Sequence, residues 1–326
     1  MMRIASALLG AALLVWLVAS IGIDAIVADL VRIGPRLLVV LALELVIEAF
    51  NTLGWWFVLP VAERSGTYAW LYWVRGAGNA LNDATPTASL GGEAVKIALL
   101  RHRMSSSVAA ASLLASRLSF SSAKAIFVAG GLIAVWPMLT LSRQASLALL
   151  AGFVLMLAGI AAFAVIQVRG IGSSTISALR RARIPARWIE RVEHWLRGVD
   201  GHLRGLYRDR TADLIRSMGA HFCGFALGTL QILLLMGWLG LPFDPVAAVG
   251  IEAFATLIGF LMVVVPSSLG VQEGGRVLIF AALGLPRAAA MAVGITFRLI
   301  SLIEIALGLA AWIVLQSRVR GWASPP

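Results

Sequence analysis

Long apolar runs separated by short polar breaks dominate the chain. Most runs approach the ~20 residues that a helix needs to cross a bilayer. They cover approximately residues 4–23, 37–59, 107–136, 145–167, 218–239, 246–265 and 288–316. No run alternates apolar and polar positions as membrane-barrel strands do. The pattern therefore predicts an all-α polytopic membrane protein with about seven or eight transmembrane helices.

Two polar stretches interrupt this pattern and resemble each other. Residues 86–93 read PTASLGGE and residues 266–273 read PSSLGVQE, so in each a glutamate follows the proline by seven positions. Proline and glycine break helices, and lipid offers no partner to a free backbone N–H or C=O. We expect each stretch to form a short broken or re-entrant segment that faces protein or a polar cavity.

The similarity between the two halves continues beyond these glutamates. Residues 108–117 (VAAASLLASR) align with residues 289–298 (AAMAVGITFR), and an ionisable residue follows each, Lys124 and Glu304. This repeat predicts one integral membrane domain over residues 1–326. Its parts are repeat A at about 4–140, a linking span at 145–167, a basic amphipathic segment at 169–216 and repeat B at about 217–316.

The orientation of the repeats stays open at this point. If both broken stretches only dip into the membrane, seven spans result and the repeats are parallel. If residues 269–285 cross as a short helix, eight spans result and the C-terminal tail returns to the cytoplasmic side. We favour eight, because the tail carries Arg318 and Arg320 and basic residues favour the cytoplasmic face.

Charged side chains within the apolar runs form the candidate site. An ionised group at the bilayer centre costs ~2.5–3.5 kcal/mol, so these residues pair with one another or face a polar cavity. Internal salt bridges without further function are the simpler interpretation. The candidates for substrate binding or transport are Arg75, Asn79, Glu93, Arg117, Lys124, Glu273, Arg298 and Glu304.

These residue types suit a lipid headgroup that is anionic or zwitterionic. Helix ends inside the membrane offer free N–H groups, and the basic side chains add charge-assisted hydrogen bonds. We expect Glu93 and Glu273 either to hold the basic groups in place or to exchange protons. Hinges and sites of close backbone approach are expected at Pro86, Gly91, Gly92, Pro266, Gly270, Gly274 and Gly275.

The net charge of +11 does not indicate nucleic-acid binding. Eleven of the 27 basic residues lie between Arg169 and Arg216, as expected for a cytoplasmic loop. Within it, apolar residues from Trp188 to Leu206 follow a helical period, with arginines on the opposite face. This predicts an amphipathic helix on an anionic leaflet, although a soluble mini-domain that packs the same stripe is an alternative. We place the N-terminus and this loop in the cytoplasm.

Enzyme and metal signatures are sparse. The sequence has no H-E-x-x-H, no G-x-S-x-G and no P-loop. Its one cysteine, Cys223, excludes an internal disulfide and a thiolate cluster. We therefore expect no catalytic residues, no metal site and no cofactor.

The charged and glycine-rich motifs resemble a known family. They include Arg75, Asn79 and Leu81 before Pro86, then Gly91-Gly92-Glu93 with Lys96, and Pro266, LGVQEGG at 269–275 and Arg298. With these residues the chain resembles the flippase-like transmembrane region of lysylphosphatidylglycerol synthases, over about residues 4–316. It looks particularly like the hopanoid-associated membrane proteins of bacteria. The sequence NDAT at 82–85 is a departure, because a more apolar approach to Pro86 is expected there.

The resemblance implies a multi-pass protein of the bacterial inner membrane that moves a phospholipid or an isoprenoid or hopanoid lipid between leaflets. No soluble aminoacyl-transfer domain follows Trp312, so lipid aminoacylation is not expected. Two alternatives remain: an intramembrane enzyme that modifies a lipid headgroup, or a non-catalytic partner of lipid-biosynthesis enzymes.

Overall fold

Every regular element in the described part of the chain is helical. The computed structural model describes residues 23–84, 90–101, 103–172, 175–176, 181, 186–261 and 271–322. The predictions for Pro86, Pro266, Gly270 and nearly all of the first apolar run therefore lie outside the described residues. An all-helical membrane fold is confirmed.

The helices are numbered in chain order. The first five are α1 (Ile23–Ile33), α2 (Leu37–Val58), α3 (Tyr68–Ala84), α4 (Leu90–Leu100) and α5 (Ser106–Val135). The next three are α6 (Arg143–Arg169), α7 (Ala186–Asp209) and α8 (Thr211–Trp238). The last three are α9 (Pro245–Leu261), α10 (Val271–Ala282) and α11 (Arg287–Trp322).

Side chains at the helix ends explain several of these boundaries. The Ser105 hydroxyl accepts a hydrogen bond from the Val108 amide at the start of α5, and Ser142 does the same for α6. Asp244 accepts bonds from two amides in the first turn of α9. Each oxygen satisfies N–H groups that have no partner inside their own helix. Gly170, with φ +97°, ends α6.

Four helices among the described residues are long and apolar enough to cross a membrane: α5, α6, α8 and α11. At 22 residues α2 also has the length of a crossing, and it carries Glu44 and Glu48. The helices α3 and α9 have 17 residues each, and α4 and α10 are shorter still. The predicted count of seven or eight spans is not confirmed.

Two three-helix units have the same plan. In α3–α4–α5, a helix of 17 residues is followed by one of 11 and one of 30. In α9–α10–α11 the lengths are 17, 12 and 36. The long helix of each unit packs against the 17-residue helix of the other, and α2 packs against α8. The two units are thus related by an approximate two-fold axis.

Contacts along the helices give the direction of each unit. In the α2–α8 pair, Val40 meets Gln231 and Asn51 meets His221, so the helices are antiparallel. In the α5–α9 pair, a Cβ on Gly131 would meet Ala253, and one on Gly250 would meet Val135. These helices too are antiparallel. The first and third helices of a unit run in the same direction, because three consecutive helices alternate in direction. The opposite directions of α5 and α9 therefore mean that the two repeats are inverted, and the parallel alternative is wrong.

The short helices form two hairpins that enter from opposite ends of the bundle. The open end of the α3–α4 hairpin is where α3 begins and α4 ends, and there Trp70 donates to the Leu99 carbonyl. Trp70 and Leu99 belong to the same apolar cluster as Leu203 of α7. We name this end the α7 face. The open end of α9–α10 lies at the opposite face, where Thr140 donates to the Ala282 carbonyl. Leu315 also packs in the Leu203 cluster, so α11 ends at the α7 face.

Part of the apolar stripe of α7 is covered by protein rather than by lipid. Leu196, Val199, Leu203 and Leu206 are all at most 5% exposed. The helix packs on α5, where the Trp195 indole donates to the Ser106 hydroxyl. These four residues pack on the membrane helices, whereas Trp195 of the same stripe is 37% exposed, and the arginine face is open to solvent or lipid headgroups.

We predict that Gly308→Ala and Gly130→Ala have opposite effects on stability. A Cβ on Gly308 would lie 2.5 Å from the Gly76 carbonyl oxygen, so it forces α3 and α11 apart and destabilises the fold by about 1–3 kcal/mol. Gly130 has open space around it, and alanine there stabilises the helix by about 0.5–1 kcal/mol. Thermal unfolding in detergent measures both, and a stabilised Gly308→Ala variant would contradict this contact.

Candidate functional site

The first half of the site joins α4 to α5 through charged side chains. Glu93, in the first turn of α4, accepts a bond of 2.5 Å from Arg117 of α5 and one of 3.0 Å from Lys96. The Lys96 ammonium also donates to the side-chain carbonyl of Asn79 on α3, at 2.9 Å. One carboxylate therefore fixes both basic groups, as one of the two interpretations of Glu93 predicts.

Close backbone approach at the hairpin tip explains the glycines of the GGE motif. A Cβ on Gly92 would lie 2.0 Å from the Gly78 carbonyl oxygen, so only glycine fits. The Gly92 amide, which has no partner within the first turn of α4, donates to the side-chain oxygen of Asn82 at 2.7 Å. Asn82, one of the polar residues at 82–85 that depart from the family pattern, therefore provides a hydrogen-bond acceptor for an N–H group at the start of α4. Gly91 beside it is half-buried.

The second half repeats this arrangement in α10 and α11. Glu273 lies in the first turn of α10 and accepts bonds of 2.8 and 3.1 Å from the Arg298 guanidinium. Arg117 and Arg298 are each the twelfth residue of their long helix. Three residues after each glutamate comes a buried basic residue, Lys96 or Arg276. The repeated glutamate–arginine pair is thus an ion pair in both halves.

The two halves differ in exposure. The Glu273 side chain is 2% exposed and Arg298 is 25%, whereas Glu93 is 18% exposed and Arg117 is 49%. The Glu273 carbon chain packs against Gly294, where a Cβ would approach to 3.2 Å. The second half is therefore closed around its ion pair, and the first half is open.

A cavity of about 340 Å³ lies beside the open half, between α2, α3 and α11. Its charged and amide lining is Glu48, Asn79, Asn82, Asp83, Arg117 and Glu304. Glu48 also binds Arg75 with bonds of 2.9 and 3.3 Å. The cavity thus contains three carboxyl groups and the guanidinium of Arg117, and the guanidinium of Arg75 lies next to it.

Five of the eight predicted binding residues gather at this cavity. Asn79, Arg117 and Glu304 line it. Glu93 and Arg75 lie next to it, because they form ion pairs with two lining residues, Arg117 and Glu48. The other three, Lys124, Glu273 and Arg298, do not line it. The Lys124 ammonium lies 5.0 Å from the centre of the Phe120 ring.

The remaining predicted glycines behave differently from one another. A Cβ on Gly275 would touch Ile258 at 3.3 Å, which makes it a contact point between α9 and α10. Gly274 beside it is half-buried.

The predicted site residues did not include three charged or amide residues of the cavity lining, Glu48, Asn82 and Asp83. Glu48 was visible as an intramembrane acid one turn after Glu44, but nothing in the sequence showed its partner Arg75. Asn82 and Asp83 were visible only as a departure from an apolar pattern. Polar residues at the tip of a re-entrant hairpin indicate that the tip faces a polar cavity, and this was the signal that could have identified them.

The fold and site define a multi-pass helical membrane protein with two inverted hairpin repeats and a charged cavity. The sequence profile described as the lysylphosphatidylglycerol synthase transmembrane region matches residues 3–308. The chain therefore belongs to this family, and the resemblance seen in its motifs is confirmed. Searches of curated proteins and of solved structures gave no match.

We predict that Glu273→Gln destabilises the protein by about 3–5 kcal/mol, because it removes the buried carboxylate that pairs with the Arg298 guanidinium. Replacing both residues, as Glu273→Gln with Arg298→Met, restores part of this loss. The control is Glu193→Gln, since Glu193 pairs with exposed Arg197 at 4.0 Å and its loss costs under about 1 kcal/mol. Unfolding in detergent measures all three, and equal effects at Glu273 and Glu193 would contradict the assignment.

Proposed function

We propose that the protein moves a membrane lipid between leaflets, with the headgroup held in the 340 Å³ cavity. The observation that carries this proposal is the charged cavity beside one half of an inverted repeat whose other half is closed. Inverted repeats with broken helices are a common plan of transporters, in which binding sites lie between the repeats.

The cavity suits a headgroup with its tails left in the bilayer. Its volume is within the range of small-molecule sites. Leu45 and Trp73, which line it, are 39% and 46% exposed at the surface of the helical bundle. An apolar rim of this kind allows acyl or isoprenoid chains to stay in lipid while the polar group enters sideways.

Arg117 is the group best placed to bind a phosphate. Its guanidinium is half exposed and lines the cavity, while Glu93 holds it from behind. A charged donor that is fixed before the ligand arrives loses little conformational freedom on binding. Glu48, Asp83 and Glu304 complete a lining of both signs, which fits a headgroup with acidic and basic or hydroxyl groups.

The direction of insertion follows from the basic residues. Arg103, the described arginines of α7 and the end of α11 with Arg318 lie at the α7 face. We propose that this face is cytoplasmic, since basic loops favour the cytoplasm. The exposed side chain of Arg197 suits contact with an anionic leaflet. We place the protein in the plasma membrane of a bacterium, and a hopanoid or other isoprenoid lipid remains among the proposed substrates.

An intramembrane enzyme is the second candidate, favoured by the carboxyl groups of Glu48, Asp83 and Glu304 in one cavity. A carboxylate near a bound headgroup is able to act as a general base. Purified protein incubated with a lipid extract distinguishes the two functions. A new lipid species seen by mass spectrometry supports the enzyme, whereas leaflet exchange of unchanged lipid supports transport.

We predict that Arg117→Gln lowers lipid transport by about 10–100-fold, because one or two charge-assisted hydrogen bonds to the headgroup are lost. The assay uses proteoliposomes with a fluorescent phospholipid and a membrane-impermeant quencher. Arg143→Gln is the control, since Arg143 is exposed at the start of α6 and lies outside the cavity.

Both variants must elute as folded protein before they are compared. Unchanged transport in folded Arg117→Gln would contradict the role of Arg117. No transport of phospholipid, polyprenyl or hopanoid probes by the unmodified protein would contradict the proposed function itself.

A further inference from the structure

A continuous polar and small-residue stripe runs along α8 where it packs against neighbouring helices. Its buried members, spaced three or four residues apart, are Asp213, Ser217, His221, Gly224, Gly228 and Gln231. The stripe extends over about 27 Å at 1.5 Å per residue, close to the thickness of a bilayer core. Polar groups buried on this scale inside a membrane are expensive and generally functional.

His221 is the titratable group at the centre of this stripe. It is 1% exposed, and its Nδ1 lies 2.9 Å from the side-chain oxygen of Asn51. Because that oxygen only accepts, Nδ1 carries the proton, and Nε2 presents a lone pair. Within the described chain Nε2 has no hydrogen-bond partner, and neither has the Ser217 hydroxyl one turn earlier.

The sequence also leaves room at this nitrogen. A Cβ on Gly54 would lie 2.5 Å from Nε2, so any larger residue there would displace the imidazole. A glycine in a helix interior costs about 1 kcal/mol relative to alanine, and here it keeps the unpaired nitrogen in place. The lone pair of Nε2 is therefore able to accept a proton.

The charged groups around His221 connect it to the cavity. Asn51, which binds His221, lies one turn after Glu48 on α2, and Glu48 lines the cavity and forms the ion pair with Arg75 of α3. From α5, Phe120 meets the imidazole edge-on, and the ammonium of Lys124 lies over the same phenyl ring. Among the residues that the structure describes, no carboxylate forms a hydrogen bond with His221. The carboxylates that face the same stripe lie further along α8, with Glu252 of α9 against Gly228 and Glu44 of α2 bound to Gln231.

We propose that His221 is a proton-binding site whose occupation is coupled to the binding of an anionic headgroup in the cavity. The proton comes from water at the α7 face, past Asp213 and Ser217, and binds at Nε2 to give an imidazolium. A phosphate beside Arg75 and Arg117 offsets that charge. Proton and headgroup then strengthen each other's binding by the same factor. The coupling rests on the proposed transport function, but proton binding at His221 does not.

The test uses the full chain in proteoliposomes with fluorescent phosphatidylglycerol, assayed from about pH 5 to 8. We expect transport to rise about tenfold toward the acidic end, because the headgroup and the proton bind together. His221→Gln, which cannot be protonated, keeps slow exchange and loses the pH dependence. His194→Gln is the control, as His194 is an exposed histidine of α7 and should retain the full pH profile.

A second variant keeps the test valid if the His221→Gln variant does not fold. Asn51→Asp places a carboxylate next to Nδ1, so it favours the imidazolium and shifts the pH profile toward alkaline values. An unshifted profile in folded Asn51→Asp, or pH-independent transport by the unmodified protein, overturns the coupling and leaves the transport function standing.

Histidine NMR of the purified protein separates the remaining outcomes. If phosphatidylglycerol is not transported but adding it shifts the His221 titration toward alkaline pH, the proton site stands and phosphatidylglycerol is excluded as the transported lipid. If the His221 signal is unchanged with and without this lipid over the same range, the proton site is overturned.

Discussion

A charge or free backbone group inside a membrane must find its partner within the protein, and this constraint shapes the whole molecule. Lipid supplies neither hydrogen bonds nor counter-charges. Each broken helix therefore begins beside a glutamate that holds an arginine from the following long helix. The Asn82 side chain and the Gly78–Gly92 contact serve the same need at the hairpin tip. The ion pairs and hairpins are consequently one structural unit, used twice.

The inverted arrangement gives this unit two environments. Around Glu273 the helices close tightly, and around Glu93 they leave a cavity that contains Arg117 and Glu304. The duplicated sequences thus occupy different environments in one molecule. The close glycine contacts of Gly308 with α3 and of Gly250 with α5 lie at equivalent interfaces between the repeats, and a Cβ at either position would clash with the facing helix.

Sequence patterns predicted the helical membrane class, most helix positions and the pairing role of Glu93 and Glu273. These features follow from local properties: run length, helix breakers and the cost of an isolated charge. The inverted orientation, the Glu48–Arg75 pair and the burial of the α7 stripe were not predictable in this way. Each depends on which helix faces which, and a hydrophobic stripe has the same sequence whether lipid or another helix covers it.

The two halves of the repeat are not interchangeable in charge. Lys124 follows Arg117 by seven residues and Glu304 follows Arg298 by six, and of the two only Glu304 lines the cavity. An inverted pair with identical chemistry would look the same from either side of the membrane. Because these residues differ in sign, the two halves of the bundle differ in charge where their sequences are duplicated.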